Sequence, residues 1–209
     1  TWEDQSELDH DATVSTTDSN PPTFVANAVN FNPAFNFDGN DDFLEIVNTI
    51  GGVDDNGIFD SNSTYPDLAT YTVSRADELK NSYIFREDFS DNSFYLITIP
   101  YNDNGSVVYY GIENGSSDIS YPWVPNFSTF DIYNCYGSDT TTNLTLDGFD
   151  QALYLNGKVV DTSNADSFGD NNTTGDSDNT FYIGSRDDDN NFFNGQIAEI
   201  IIFADNQTS

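Results

Sequence analysis

The loop around residue 174 spaces oxygen-bearing side chains as part of a calcium-binding loop does. In DNNTTGDSD, Asp170, Asn172 and Thr174 occupy positions 1, 3 and 5, a glycine is sixth, and Asp178 is ninth. Alternate side chains at this spacing can surround one ion, and the glycine permits the sharp bend. Position 12 is phenylalanine rather than the bidentate glutamate of a complete loop. The pattern predicts a calcium site at these four residues, with a purely polar loop as the alternative.

A second acidic group interrupts the strand-like stretch FNPAFNFDGNDDFLEI. One interpretation is a turn, in which Asp and Asn bond locally to the backbone and Gly39 adopts a positive φ. The other is that Asp38, Asp41 and Asp42 gather their carboxylates around a cation. The two interpretations are compatible. The run 187–189 (DDD) offers further carboxylates, or only a charged edge loop.

The stretch DISYPWVPNF has the composition of a carbohydrate contact. The C–H faces of a sugar stack on aromatic rings, and its hydroxyls need amide or carboxylate partners. Tyr121, Trp123, Asn126 and Asp118 are therefore the predicted ligand-binding residues. The alternative is a crossover that covers the core, with Trp123 buried.

Catalytic arrangements are missing from the sequence. The only histidine is His10, in a polar segment, which makes a zinc site or a Ser-His-Asp triad improbable. The paired carboxylates of glycoside hydrolases, arranged as E-x-D-x-x-E on one strand, do not occur. The glutamates are scattered singly, and Glu199 alternates with Ile197 and Ile200 as a buried structural acid would. The sequence therefore predicts a protein that is not an enzyme.

The elements that must position these groups are strands. Alternating apolar residues mark AFNFDG, NSYIFRED, SFYLITIPY, SVVYYGIE, STFDIYNCYG, TFYIGS and GQIAEIIIF, with polar loops between them. In QALYLNGKVV, Asn156-Gly157 predicts a two-residue hairpin turn. Helix-favouring sequence is confined to SRADELKNS. We expect an all-β fold in a single domain over 1–209, with a leader at 1–30 packing on a core at 31–205.

The composition suits such a fold. The 209 residues include 17 Phe, 12 Tyr and 2 Trp, which pack well on sheets. The single cysteine, Cys135, forms no intramolecular disulfide and is expected to be a small buried residue. No window approaches 18 consecutive apolar residues, so no transmembrane helix is predicted.

The charge balance restricts the partners. With 36 acidic and 5 basic residues, the formal net charge is −31. Such a chain repels nucleic acid and anionic membrane surfaces. Its self-repulsion requires either high salt or bound divalent cations such as calcium. Both conditions suggest an extracellular, secreted or cell-surface location.

Three motifs in order carry a family resemblance: FDGNDD near the start, YLNGK in the second half, and FNGQIAEI at the end. Together they resemble laminin-G-like, or concanavalin-A-like, lectin domains. The first residues, TWEDQSELDHDA, look like the segment that precedes such domains in large secreted surface proteins of marine Bacteroidetes. Two departures are Glu7, where the leader usually has glycine, and Ala198, where the final motif often has an acid.

The resemblance implies a jelly-roll sandwich of two antiparallel sheets, often with a structural calcium. It also implies glycan or cell-surface protein binding beside other domains of the same polypeptide. We therefore expect a non-catalytic module for adhesion or carbohydrate recognition, with calcium-stabilised acidic loops. The alternatives are a structural spacer without a ligand and an ancillary domain of a polysaccharide-degrading enzyme.

Overall fold

The computed structural model describes residues 1–5, 10–14, 20–47, 68–88, 93–100, 106–112, 119–123, 126–137, 151–163, 180–186 and 191–203. Within these ranges the regular structure consists of thirteen strands. They are β1 (Thr23–Val29), β2 (Asn32–Asp38), β3 (Leu44–Val47), β4 (Leu68–Ala76), β5 (Ser82–Asp88), β6 (Ser93–Pro100), β7 (Ser106–Ile112), β8 (Ile119–Trp123), β9 (Asp131–Gly137), β10 (Gln151–Leu155), β11 (Lys158–Ser163), β12 (Thr180–Ile183) and β13 (Asn194–Phe203).

The strands form two antiparallel sheets. One has seven strands in the order β1-β2-β13-β4-β9-β10-β11, and the other has six in the order β3-β12-β5-β6-β7-β8. Five of the eleven neighbouring pairs join strands that are not consecutive in the chain, namely β2-β13, β13-β4, β4-β9, β3-β12 and β12-β5, as the crossovers of a jelly roll require. The predicted all-β sandwich of two antiparallel sheets is confirmed. The sequence did not predict β1, β4 or β8 as strands.

The core lies between the two sheets and is built by alternation along the strands. Phe37 of β2, Leu153 of β10 and Ile197 of β13 face inward from the seven-stranded sheet and are fully buried. Phe85 of β5 stacks on Phe181 of β12, with ring centroids 5.6 Å apart, on the six-stranded side. Aromatic side chains therefore supply much of the contact between the layers.

The described residues of the segment 1–30 contact the two sheets. Trp2 packs on Phe35 with ring centroids 5.2 Å apart. Thr13 exchanges two backbone hydrogen bonds of 2.8 Å with Glu45 at the edge of β3. Within the segment assigned to the leader, β1 pairs with β2 and forms one edge of the seven-stranded sheet.

Two local features position the remaining residues. The Asn156-Gly157 turn is confirmed, since both residues have positive φ (52° and 77°) between β10 and β11. In β13 a bulge at Ala198 interrupts the pairing with β4. The extra residue reverses the alternation. Glu199 is therefore exposed while Ile197 is buried, and the prediction of a buried acid there is wrong.

Candidate functional site

Three carboxylates meet where β2 gives way to β3. One oxygen each of Asp38, Asp41 and Asp42 lies within 4.8 Å of the others. Asp38 ends β2, whereas Asp42 is almost completely buried just before β3. Calcium accepts carboxylate oxygens, so this group could bind a metal ion.

The same residues also form the predicted turn. Gly39 has a φ of 78°, and the backbone N–H of Asn40 donates to Asp38 Oδ1 at 2.8 Å. The backbone N–H of Asp38 donates in turn to Asp42 Oδ2 at 2.8 Å. The side chain of Asn20 donates to Asp41 Oδ2 at 2.8 Å. Each carboxylate is thus held in place by protein donors, and at least one oxygen of Asp41 and of Asp42 is not used in these bonds.

The pKa values of Asp38 and Asp42 shift in opposite directions. The side-chain amide of Asn40, with further backbone donors and the charge of Lys80, holds the pKa of Asp38 below its usual value against the effect of burial. Burial raises the pKa of Asp42, and the charges of Asp38 and Asp41 raise it further. Lys80 Nζ donates to the carbonyl oxygen of Gly39 and brings one positive charge to the turn. A divalent cation would relieve the like-charge repulsion at Asp42.

The predicted carbohydrate residues occupy different environments. Trp123, at the end of β8, is 8% exposed and packs edge-on against Tyr133, with centroids 5.7 Å apart. Its ring belongs to the core, as the alternative interpretation had it. Tyr121 is half-buried, and Asn126 is exposed and accepts from the backbone N–H and the hydroxyl of Ser128. Asp118 lies outside the described residues.

The predicted calcium loop, with Asp170, Asn172, Thr174 and Asp178, also lies outside the described residues, as does the run 187–189. The calcium site predicted there stays a prediction. Burial of Cys135 is confirmed, since its side chain has no exposed area and burial raises the pKa of its thiol.

A site that the sequence did not reveal lies on the face of the seven-stranded sheet that points away from the core. We call this surface the outer face. Five side chains lie directly opposite one another across five neighbouring strands, forming a straight row. In order across β13, β4, β9, β10 and β11, they are Ile201, Tyr71, Asn134, Tyr154 and Val159.

The residues of this row are open to solvent to different degrees. Tyr71 is 41% exposed, Val159 is 50% exposed, and Tyr154 is half-buried. Phe203 stands beside Tyr71 in an edge-on contact, with centroids 6.0 Å apart. Asn134 donates through Nδ2 to the carbonyl oxygen of Thr70 at 3.1 Å, which orients its side-chain amide.

Two further rows flank the first. Glu199, Val73 and Ile132 lie opposite one another on one side, and Phe203, Ala69 and Tyr136 on the other. The clue in the sequence was the alternation TYTVSR in β4, where every second residue is polar and small. Because those small polar residues face the core, the larger side chains lie on the outer face. This reverses the usual arrangement, in which apolar residues face the core and polar residues face solvent.

No protein-family model matches the sequence, and the comparison with curated proteins gives no match. Solved structures do match. The ligand-binding domain of botulinum neurotoxin serotype D, solved with N-acetylneuraminic acid, has a TM-score of 0.60 at 10% identity over 99% of this chain and 45% of that chain. Domain 4 of the extracellular arabinanase AbnA from Geobacillus stearothermophilus, solved with arabinotriose, has a TM-score of 0.57 at 12% identity, covering 93% and 80%.

The mouse laminin alpha1 chain, domains LG4-5, has a TM-score of 0.50 at 12% identity, covering 97% of this chain and 46% of that chain. At these identities the comparisons show the fold alone. This chain has the two-sheet sandwich of concanavalin-A-like and laminin-G-like structures. The resemblance to surface proteins of marine Bacteroidetes stays a prediction. Among the described residues, no helix is long and apolar enough to cross a membrane.

Proposed function

We propose that this chain is a non-catalytic extracellular module that recognises carbohydrate on the outer face of the seven-stranded sheet. The observation behind the proposal is the straight row that Tyr71, Asn134 and Tyr154 form with an aliphatic residue at each end. An exposed patch of this kind is typical of a binding surface. Adhesion to glycans on another surface would follow from the same contacts.

The chemistry of the row suits a sugar. The ring faces of tyrosine offer a flat apolar surface to sugar C–H groups, and the phenol hydroxyls can donate and accept hydrogen bonds. With Asn134 Nδ2 directed to Thr70, its Oδ1 can accept from a sugar hydroxyl. Domain 4 of the arabinanase, which has the same fold, was solved with the neutral sugar arabinotriose. This complex supports a sugar ligand.

A glycan array followed by titration calorimetry tests the proposal. We expect Tyr71→Ala to abolish binding to the glycans that the intact chain captures. Phe31→Gly removes a more exposed ring from the β1–β2 turn and serves as the control that keeps binding. Asn126→Ala tests the predicted contact at 118–126. If this variant loses binding and Tyr71→Ala keeps it, the site is that loop and the outer face is not the site.

The alternative function is a structural spacer between other domains. It predicts a folded chain that binds nothing on an array of marine and host glycans, with or without calcium. A third possibility, an ancillary domain of a polysaccharide-degrading enzyme, predicts binding to the polymer that the neighbouring catalytic domain degrades. The array result therefore separates the spacer from the two binding roles.

We further propose that the acidic loops bind calcium and that Asp38, Asp41 and Asp42 hold one ion. The donor set fits the metal, because all three side chains offer the hard oxygen ligands that calcium prefers. Calcium takes 6–8 ligands, so roughly half of its coordination would come from backbone oxygens and water. The bound ion would supply positive charge and fix the turn between β2 and β3.

Thermal unfolding in EDTA and in millimolar calcium, at fixed ionic strength, tests this site. A specific ion at about a hundredfold excess over its Kd stabilises the fold by roughly 2.7 kcal/mol. We expect Asp41→Asn/Asp42→Asn to lose that increase. The charge-matched pair Glu3→Gln/Glu78→Gln, at exposed positions, should keep it. An increase with sodium chloride but none with calcium would mean that salt alone screens the acidic surface.

A further inference from the structure

We infer that the ligand of the outer face is a glycan chain without ionised groups, which excludes uronate, sulfated and sialylated sugars. This inference rests on the proposed function and specifies the class of its ligand. It follows from where the few positive charges of the chain lie, and from which side chains make up the row.

The whole sequence contains only five lysine and arginine residues. Anionic sugars are held by charge-assisted hydrogen bonds, for which arginine is the commonest donor. Arg75, the cation on the outer face, is committed to Asp77, with Nε to Oδ1 at 2.9 Å and Nη2 to Oδ2 at 3.3 Å. Its guanidinium also lies over the ring of Phe130. That ion pair is neutral overall, so Arg75 adds little net positive charge to the outer face.

The other four cations lie elsewhere. Lys80 donates to the Gly39 carbonyl beside the aspartate cluster, and Arg86 is buried in the six-stranded sheet. Arg186 follows β12 in that same sheet, and its carbonyl oxygen accepts from Arg86 Nη1. Lys158 lies opposite Leu155, one position away from the row, and Leu155 packs against the core. By alternation Lys158 is therefore directed to the opposite side of the sheet from Val159.

The row itself is uncharged from end to end. Among the described residues, the ionised side chains that flank it are Arg75, which is paired, and Glu199, which is exposed on β13. A carboxylate or sulfate placed on Tyr71 would meet Glu199 on the neighbouring strand and, among the described residues, no free cation. The net charge of −31 adds a repulsive field over the whole surface.

The length of the row favours an extended chain over a single sugar. Five strands spaced ~4.8 Å apart span roughly 19 Å. Tyr71 and Tyr154 lie two strands apart, with Asn134 between them. A linear oligosaccharide that crosses the strands could therefore use both rings and the amide at once. Affinity is expected to rise with the number of sugar units until the row is covered.

The test compares length-matched neutral and anionic oligosaccharides by calorimetry. Neutral probes are arabino-, xylo-, manno- and cello-oligosaccharides, and anionic probes are oligogalacturonates, sulfated galactans and sialyllactose. We expect neutral probes to bind at least about tenfold more tightly, with little change between about 0.1 and 1 M salt. Tighter binding of an anionic probe, lost in Tyr71→Ala, would overturn the inference while leaving the proposed function intact.

A variant that introduces a charge further distinguishes failure of this inference from failure of the proposed function. Ile132→Lys places a cation on the exposed flank of the row, and Ile132→Thr is the uncharged control. We expect only the lysine variant to gain affinity for anionic probes, and the gain should disappear at high salt. If no probe of either kind binds the folded chain, the proposed function fails and the inference falls with it.

Discussion

The contact between Gly184 and Phe37 makes a quantitative prediction about the core beneath the aspartate cluster. Gly184 follows β12 with a φ of 86°, and a Cβ there would lie 2.4 Å from Cδ1 and Cε1 of Phe37. Phe37 is fully buried and packs edge-on against Phe193, so its ring cannot move into solvent. Gly184→Ala therefore combines backbone strain with overpacking.

The two contributions can be estimated separately. A non-glycine residue in the left-handed region costs roughly 1–2 kcal/mol. Forcing one extra carbon into a packed core costs roughly 1–3 kcal/mol. We expect Gly184→Ala to lower the free energy of unfolding by about 2–5 kcal/mol, which lowers Tm by roughly 4–20 °C for a chain of this size.

Gly157→Ala is the matched control. Gly157 has nearly the same φ, 77°, but nothing lies within 4 Å of the position that a Cβ would occupy there. Only the backbone strain of about 1–2 kcal/mol applies at this turn. The difference between the two variants therefore measures the overpacking alone.

Equilibrium unfolding in urea, followed by tryptophan fluorescence, measures both variants, because Trp123 lies in the core and Trp2 packs against it. Phe37→Leu in the Gly184→Ala background should restore part of the lost stability, since the smaller side chain makes room for the methyl group. Equal destabilisation by Gly184→Ala and Gly157→Ala, or strict additivity with Phe37→Leu, would refute the packing argument.

Three further predictions concern the other strained or buried groups. Because burial raises the pKa of Asp42, the folded state binds this proton at a higher pH than the unfolded state does, so the stability should fall as pH rises through that pKa. Without calcium, Asp42→Asn should therefore be more stable at pH 7 and less dependent on pH. A pH profile of thermal unfolding that is unchanged in this variant would contradict the prediction. Phe31 is 90% exposed and has a φ of 69°, which strains its backbone. Phe31→Gly should relieve this strain and stabilise the fold by roughly 0.5–1 kcal/mol in urea unfolding. A loss of stability would contradict the presence of backbone strain at this turn. The side chain of Asn156 donates to Asp131 Oδ1 at 2.8 Å and accepts from the N–H of Ile132 at 2.9 Å. Asn156→Ala should therefore lower the free energy of unfolding by roughly 2–3 kcal/mol and raise the pKa of Asp131, which NMR titration measures. A loss smaller than the error of the unfolding measurement would show that water replaces the amide.

Much of the fold could be read from local patterns. Phe35 and Phe37 both face the core as their alternation in AFNFDG predicts, and the Asn156-Gly157 turn forms where the sequence places it. The missed strand β1 begins after two prolines and has no clear alternation. Its pairing with β2 depends on a partner strand, so its own sequence is a weak guide.

The candidate sites divide in the same way. Asp38, Asp41 and Asp42 lie within five consecutive positions, so one turn brings them together, and the sequence identified them. Trp123 lies in a stretch whose composition suits either a sugar contact or the core. Only its contact with Tyr133, on the other sheet, showed that it packs in the core.

By itself the sequence determined the all-β class, the acidic turn, the hairpin at Asn156 and the strong negative charge, because each depends on residue types or on neighbours a few positions away. Only the tertiary structure decided the outer face. Tyr71, Asn134 and Tyr154 come from three strands separated by long stretches of chain, and backbone pairing sets the register that aligns them. A shift of one residue in either ladder would turn the row toward the core, and no local pattern encodes that choice.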